Sequence, residues 1–153
     1  MKKLKSLNLI VIFFLFVSCG YSPLYKNLTD VNFSIILNEV NGNRTINNLI
    51  KSKLNTYNSN DDGKKYDIDI NTKYIKDIIA KDTTGAATEY KLTVSASFKV
   101  SSNDYEREFL FKESFNMKSI SDKLEEQDYE DNVKTNLVNI VTKKLILQLS
   151  LIK

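Results

Sequence analysis

From residue 89 the chain alternates almost without error. Tyr90, Leu92, Val94, Ala96, Phe98 and Val100 fall on one side, and Glu89, Lys91, Thr93, Ser95, Ser97 and Lys99 on the other. A period of two marks a half-buried strand, and a one-residue slip would expose every apolar group, so the register is firmly specified. A weaker alternation runs through Tyr66, Ile68, Ile70, Thr72 and Tyr74. Its phase slips near Ile75 and Ile78-Ile79, which predicts a bulge or a twisted, partly exposed extension. Asp82-Thr83-Thr84-Gly85 predicts the turn between these strands. After Ser101-Ser102-Asn103-Asp104 the segment Tyr105 to Asn116 returns, with Phe109, Phe111 and Phe115 on one side. Strands linked as hairpins pair antiparallel.

Upstream, Val31 to Leu37 is rich in β-branched and apolar residues and predicts a first strand. Asn41-Gly42-Asn43 breaks it, and Asn43 is placed to cap a helix. Ile46, Leu49, Ile50, Leu54 and Tyr57 then recur at helical spacing, ending at the polar run Asn58 to Gly63. A second, longer helix is predicted after Asp122, which with Glu125 resembles a capping box with Asp in the first position. Val133, Leu137, Ile140, Val141, Leu145 and Leu149 form its apolar stripe, and Lys143-Lys144 lie toward the end that favours cations. The order is strand, helix, three strands, helix. Two helices on one face of a four-stranded mixed, mostly antiparallel sheet would bury both stripes, giving an α+β two-layer sandwich over residues 31–153.

The N-terminus has a different pattern. Met1-Lys2-Lys3-Leu4-Lys5 is followed by an apolar run from Leu7 to Val17, broken only by Asn8, and then by Ser18-Cys19-Gly20. A basic start, a short apolar stretch and a small residue before the cut are the parts of a secretory signal peptide, here residues 1–18. As a helix the run would span roughly 16 Å, against a hydrocarbon core of about 30 Å. Phe16-Val17-Ser18-Cys19 resembles the lipobox of bacterial lipoproteins, departing from it where Phe16 stands for the usual Leu. That resemblance implies diacylglycerol on the Cys19 thiol, an N-acyl group on its new amine, and residues 19–30 as a lipidated tether. One acyl chain would hold only marginally; several make a permanent anchor. Gly20 rather than Asp after the cysteine implies, by the same analogy, sorting to the outer membrane, facing the periplasm.

Cys19 is the only cysteine, so no internal disulfide can form and the domain must rest on its core. The full chain carries 22 basic and 19 acidic side chains. Lys2, Lys3 and Lys5 leave with the leader, and what remains is balanced at 19 of each. The pI near 8.8 therefore belongs to the precursor and gives no ground for a nucleic-acid partner. An anion site would have to be a local patch.

Cys19-Gly20-Tyr21-Ser22-Pro23-Leu24-Tyr25 is similar to the Cys-Gly-aromatic-x-Pro-Leu-Tyr start of some members of the lipopolysaccharide-assembly lipoprotein family LptE. The order of elements is similar too, as are the strand–turn–strand from Ile78 to Leu92 and the last helix with its acidic lead-in. The resemblance implies a partner, the outer-membrane β-barrel LptD, within which the lipoprotein sits as a plug. It also implies a role in barrel assembly, in lipopolysaccharide transport and insertion into the outer leaflet, and contact with lipopolysaccharide itself. An interface of that kind would bury more than about 2,000 Å².

Enzymatic chemistry finds little support. There is no histidine, hence no nucleophile–histidine arrangement, and the four glycines are scattered singly rather than forming a phosphate loop. Asp61-Asp62, Glu125-Glu126 and Glu130-Asp131 read as solvated charges rather than catalytic pairs. No metal or other cofactor is expected: Asn58-x-Asn60-x-Asp62-Gly63 resembles half of a calcium loop, but its twelfth position is Asp69 and it leads into a strand. For an anionic lipid the candidate contacts are Lys73, Lys76, Lys81, Lys91 and Arg107, lysine as a point charge and arginine as a fork. The competing reading of these residues is ordinary solvated strand charge, balanced by Asp77, Asp82, Glu89 and Glu106. A different periplasm-facing lipoprotein, acting as a lipid carrier or envelope scaffold, is the alternative function. A carrier needs a sizeable apolar cavity, whereas the barrel-partner reading expects a filled core.

Overall fold

The strand with the cleanest alternation lies at the centre of the sheet. In a computed structural model that describes residues 33–58 and 63–152, four strands form one sheet. They are β1 (Phe33–Gly42), β2 (Lys64–Lys81), β3 (Ala87–Ser102) and β4 (Tyr105–Lys118), in that spatial order. β1 runs parallel to β2, and the two later pairings are antiparallel. Helix α1 (Arg44–Leu54) supplies the crossover that a parallel pair requires, and helix α2 (Lys123–Leu151) follows β4. Both pack on the same face of the sheet, so the expected sandwich is observed. The chain divides after Asp30, and Val31–Lys153 forms one compact unit. The leader, the tether with Cys19, and the start expected for β1 at Val31 lie outside the described residues.

Leu92, Val94, Ala96, Phe98 and Val100 of β3 are all fully buried beneath the helices, joined by Ile68 and Ile70 of β2 and Ile35 of β1. Ile46, Ile50 and Leu54 of α1 and Val133, Leu137, Val141, Leu145 and Leu149 of α2 close the core from above. Ile140 was expected in that stripe and is 42 % exposed, while Val138, Thr142 and Ile146 are buried instead. Because α2 packs against α1 as well as the sheet, its buried arc is widened toward α1 and rotated away from Ile140. Phe111 and Phe115 share the helix-side face with Phe109, but only Phe109 is buried, since β4 is an edge strand.

Both helix starts are capped as the sequence predicts. Ile46 N–H donates to Asn43 Oδ1 at 3.1 Å, and Leu124 and Glu125 N–H donate to Asp122 Oδ1 at 2.8 and 3.2 Å. The capping box is completed differently from expectation. Glu126, not Glu125, reaches back, accepting from Ile120 N–H at 2.9 Å and Ser119 Oγ at 2.8 Å.

β1 continues past Leu37 to Gly42, with a register shift between Leu37 and Val40. Gly42 has φ +101°, and a Cβ there would lie 2.0 Å from the Thr72 carbonyl oxygen. That close approach lets Asn43 N–H donate to Thr72 O at 3.1 Å, while Thr72 Oγ1 donates to the buried Asn47 Oδ1 at 2.6 Å. The β2 irregularity falls at Ile78–Lys81 only, because Ile75 pairs with Thr93 in regular register. The β3–β4 turn is two residues, Asn103-Asp104, tighter than the four-residue stretch that the sequence marks.

Candidate functional site

Past Thr72, β2 pairs with β3 alone, because β1 has ended. The sheet continues there as three strands, β2, β3 and β4, and only beyond Ile78 and Glu89, where β4 ends at Lys118, do β2 and β3 project as a short two-stranded finger. Its tip is fixed by Asp82, which accepts from Thr84 N–H at 2.8 Å, Thr84 Oγ1 at 2.6 Å and Ala86 N–H at 3.0 Å. The Thr84 bonds, first side chain and then backbone, hold the Asp82 carboxyl below its ordinary range. Gly85, at φ +87°, completes the turn. Ile78 and Ile79 near this tip are 52 % and 44 % exposed.

The three-stranded part of the sheet below the finger is fastened to the first turns of α2 by one ionic cluster. Glu130 accepts from Tyr74 Oη at 2.7 Å, Lys76 Nζ at 2.7 Å and Lys134 Nζ at 2.8 Å. Burial alone would raise the Glu130 carboxyl, but Lys134, Lys76 and Tyr74 outweigh it and bring it down to about 2. Burial and then the bond to Glu130 push the Tyr74 phenol well above its ordinary value. Lys76 Nζ also stands 4.2 Å from the centre of the Tyr90 ring and 3.7 Å from Glu126 Oε1. Burial opposes its charge, yet its bond to Glu130 and the neighbouring negative charges keep it firmly protonated. The Ile120 N–H and Ser119 hydroxyl hold Glu126 low in the same way.

The five cationic candidates are not brought together. Lys73 and Lys91 lie on the open face of the sheet, away from the helices. Lys76 and Arg107 lie on the helix-side face, Lys76 within the Glu130 cluster and Arg107 5.2 Å from the Phe109 ring. Lys81 stands at the finger tip. Cys19 lies outside the described residues, as do residues 59–62 of the calcium-like loop. Among the described residues no group of three or more acidic, cysteine or histidine side chains is arranged to hold a metal.

The pairing shows a pattern that the separate strands do not reveal. Residues opposite one another share a face. On the open face Lys73, Ser95 and Lys112 form one row, and Asp77, Lys91 and Asn116 form another nearer the finger tip. Toward the opposite end the rows are Asp69, Lys99, Glu108 and Asp67, Ser101, Glu106. The open face thus carries Lys73 and Lys112 at its middle, mixed charge toward the finger, where Asp77 faces Lys91 and Glu89 faces Lys118, and mostly acidic groups at its base. Lys73, Lys91 and Lys112 make no ion pair among the described residues, whereas Lys99 is held by Glu106 at 2.8 Å. Lys112 was not among the candidates. The two-residue turn sets the register that aligns it with Lys73, and the sequence does not mark that turn length.

A cleft of about 590 Å³ opens at the base, with Lys64, Ser102, Asn103, Asp104 and Tyr105 among its lining. It is mainly polar and separate from the core under the helices. No helix among the described residues is long and apolar enough to cross a membrane.

Neither a protein-family model nor a curated protein matches the chain. Solved structures do. Rare lipoprotein B from Shewanella oneidensis superposes with a TM-score of 0.53 at 13 % identity, over 74 % of this chain and 92 % of that one. Uncharacterised lipoprotein B from Nitrosomonas europaea superposes at 0.51 with 12 % identity, over 78 % of this chain and 86 % of that one. At such identities the likeness is one of fold: the chain shares its helix-and-sheet architecture with bacterial lipoproteins.

Proposed function

We propose that this protein is an outer-membrane lipoprotein, anchored through acyl groups on Cys19, that binds an LptD-type β-barrel as its plug and assists the barrel's assembly. In that role it supports lipopolysaccharide transport and insertion into the outer leaflet. The observation that carries this reading is the shared fold with the two lipoprotein B structures, in a chain whose N-terminus resembles a lipoprotein signal.

Two features of the folded unit favour a barrel partner over a lipid carrier. The side chains between helices and sheet are sealed from solvent, with Tyr66, Phe98, Leu92 and Leu145 essentially inaccessible, and the 590 Å³ cleft is polar and lies elsewhere. A carrier would instead keep an apolar cavity for acyl chains. The finger offers an ordered, partly apolar projection that suits a protein surface. Within this reading Lys73 and Lys91 are the first candidates for lipopolysaccharide phosphates. Lys76 is a poorer one, because Glu130 already neutralises it.

The test is recovery of the C-terminally tagged full chain from outer membranes solubilised in mild detergent. A large barrel at one-to-one stoichiometry is the expected companion. Recovery of the lipoprotein alone, or with soluble proteins only, would overturn the reading.

A further inference from the structure

β4 has β3 on one side and, among the described residues, no strand on the other. Such an edge is a template for another strand, and charges usually blunt it. Here the charges are arranged to complement themselves. We propose that, in the chain not yet engaged with a barrel, β4 pairs with β4 of a second copy, antiparallel and centred on Leu110, joining two sheets into one of eight strands.

The hydrogen-bonding geometry permits it. Ser102 and Tyr105 flank a two-residue turn and form the first pair of the β3–β4 ladder. Residues flanking such a turn exchange hydrogen bonds, and the pattern then alternates along an antiparallel pair. The odd-numbered residues of β4 are therefore committed to β3. The even-numbered ones, Glu106 to Asn116, turn their N–H and C=O groups to the free edge. A two-fold axis at Leu110 uses that even set.

The side chains agree with this register on both faces. On the open face Leu110, 72 % exposed and the most exposed large apolar side chain among the described residues, meets its own copy. Glu108 then faces Lys112 of the second copy, and Lys112 faces Glu108, so each dimer has this pair twice. On the helix-side face Phe109 lies opposite Phe111, Arg107 opposite Glu113, and Tyr105 opposite the half-exposed Phe115. Sliding one strand by two residues separates Arg107 from Glu113. Sliding by four sets Lys112 against Lys112 or Glu108 against Glu108. Like charges directly opposite one another destabilise a strand pair, and only the Leu110 register sets both Glu108 against Lys112 and Arg107 against Glu113.

A second feature points the same way. Tyr129 packs edge-on against Phe115, and Lys144 is bonded to Glu113, so this side of α2 overhangs β4. At 3.6 residues per turn Tyr129, Ile140, Leu147 and Leu151 fall within an arc of about 40° on that side. All four are exposed. Joining the edges sets the two α2 helices side by side above the seam, where these residues have a partner.

The full-length chain in mild detergent, carrying single cysteines under oxidising conditions, tests the proposal, with the parent chain as the control for Cys19. Leu110→Cys is expected to crosslink to itself. Ser114→Cys alone is not, but it is expected to crosslink when mixed with Glu106→Cys, its partner in this register. In sedimentation runs Lys112→Glu should weaken self-association about tenfold, and Glu108→Lys with Lys112→Glu should restore it to within about threefold. Crosslinking at Ser114 alone as efficient as at Leu110 would overturn the register. Overturning the pairing itself would take failure of the double reversal to restore association, or capture of a barrel protein by Leu110→Cys in place of a second copy. All these positions are exposed or half-exposed at the edge, so loss of folding does not confuse the result.

Discussion

Glu130 shows what one side chain gains from its neighbours. Its carboxyl sits near 2 in the folded protein, below its unfolded value of about 4.3. A carboxylate depressed in this way contributes stability that is fully present above about pH 4.5 and is lost as pH falls toward 2. Glu130→Gln is therefore expected to cost on the order of 2 kcal/mol at neutral pH, since it leaves Lys76 and Lys134 without their shared acceptor. It should also flatten the decline in stability between about pH 4.5 and 2, which urea titrations at a series of pH values would show. Gly42 is constrained by space rather than charge. With φ +101° and a Cβ that would meet Thr72 O at 2.0 Å, Gly42→Ala must move the β1–α1 junction away from β2. A loss of more than about 2 kcal/mol in urea unfolding is expected. Asn43 as a cap and Asn41-Gly42 as a break were legible from local sequence, because capping and turning act over three or four residues. The partner of Gly42, thirty positions away, was not.

At the level of elements, α2 depends on its first turn. Asp122 holds two backbone N–H groups and Glu126 closes the loop from Ser119 to Ile120, so the helix start is tied to the end of β4. Asp122→Ala is expected to cost about 1 kcal/mol, read from the unfolding midpoint at constant slope. The sequence singled out Asp122 correctly but gave the reciprocal role to Glu125. The spacing of a capping box is a local rule, whereas Glu126 is selected by where the chain arrives from β4. Strand β3 was legible in full, because each face has a single chemical character. The face of α2 was legible only in part, since it meets two surfaces and its buried arc is wider than a single stripe. The finger lay between these cases. The broken phase at Ile78-Ile79 marked a partly exposed extension, and the structure shows it where the sheet has lost β1 and β4 is about to end.

For the whole molecule, stability rests on one core and on no disulfide. Phe98 is fully buried at the centre of the sheet. Phe98→Ala is expected to cost about 3–5 kcal/mol, a large share of the 5–15 kcal/mol typical of a domain. Ile79→Ser, on the exposed finger, should remain within about 0.5 kcal/mol of the parent. Chemical denaturation of both variants checks the contrast. Were Ile79→Ser as damaging as Phe98→Ala, the finger would be part of the core rather than a projection. The candidate cations were legible as residue types but not as a site. Lys73 and Lys91 remain on the open face, Lys76 is spent on Glu130, and Lys112 joins Lys73 only through the register of β4.

By itself the sequence determined the kinds of element and their order, the buried face of β3, and the residues that cap both helices. These follow from periodicity and from hydrogen bonds that close within a turn or two of backbone. Tertiary structure alone decided which residues stand opposite one another in each strand pair, the rotation of α2, and the neutralisation of Lys76 by a glutamate fifty-four positions away. Those depend on which distant surfaces meet. A long-range contact carries no local signature in the residues that make it, so charge, spacing and hydropathy could nominate the participants without pairing them.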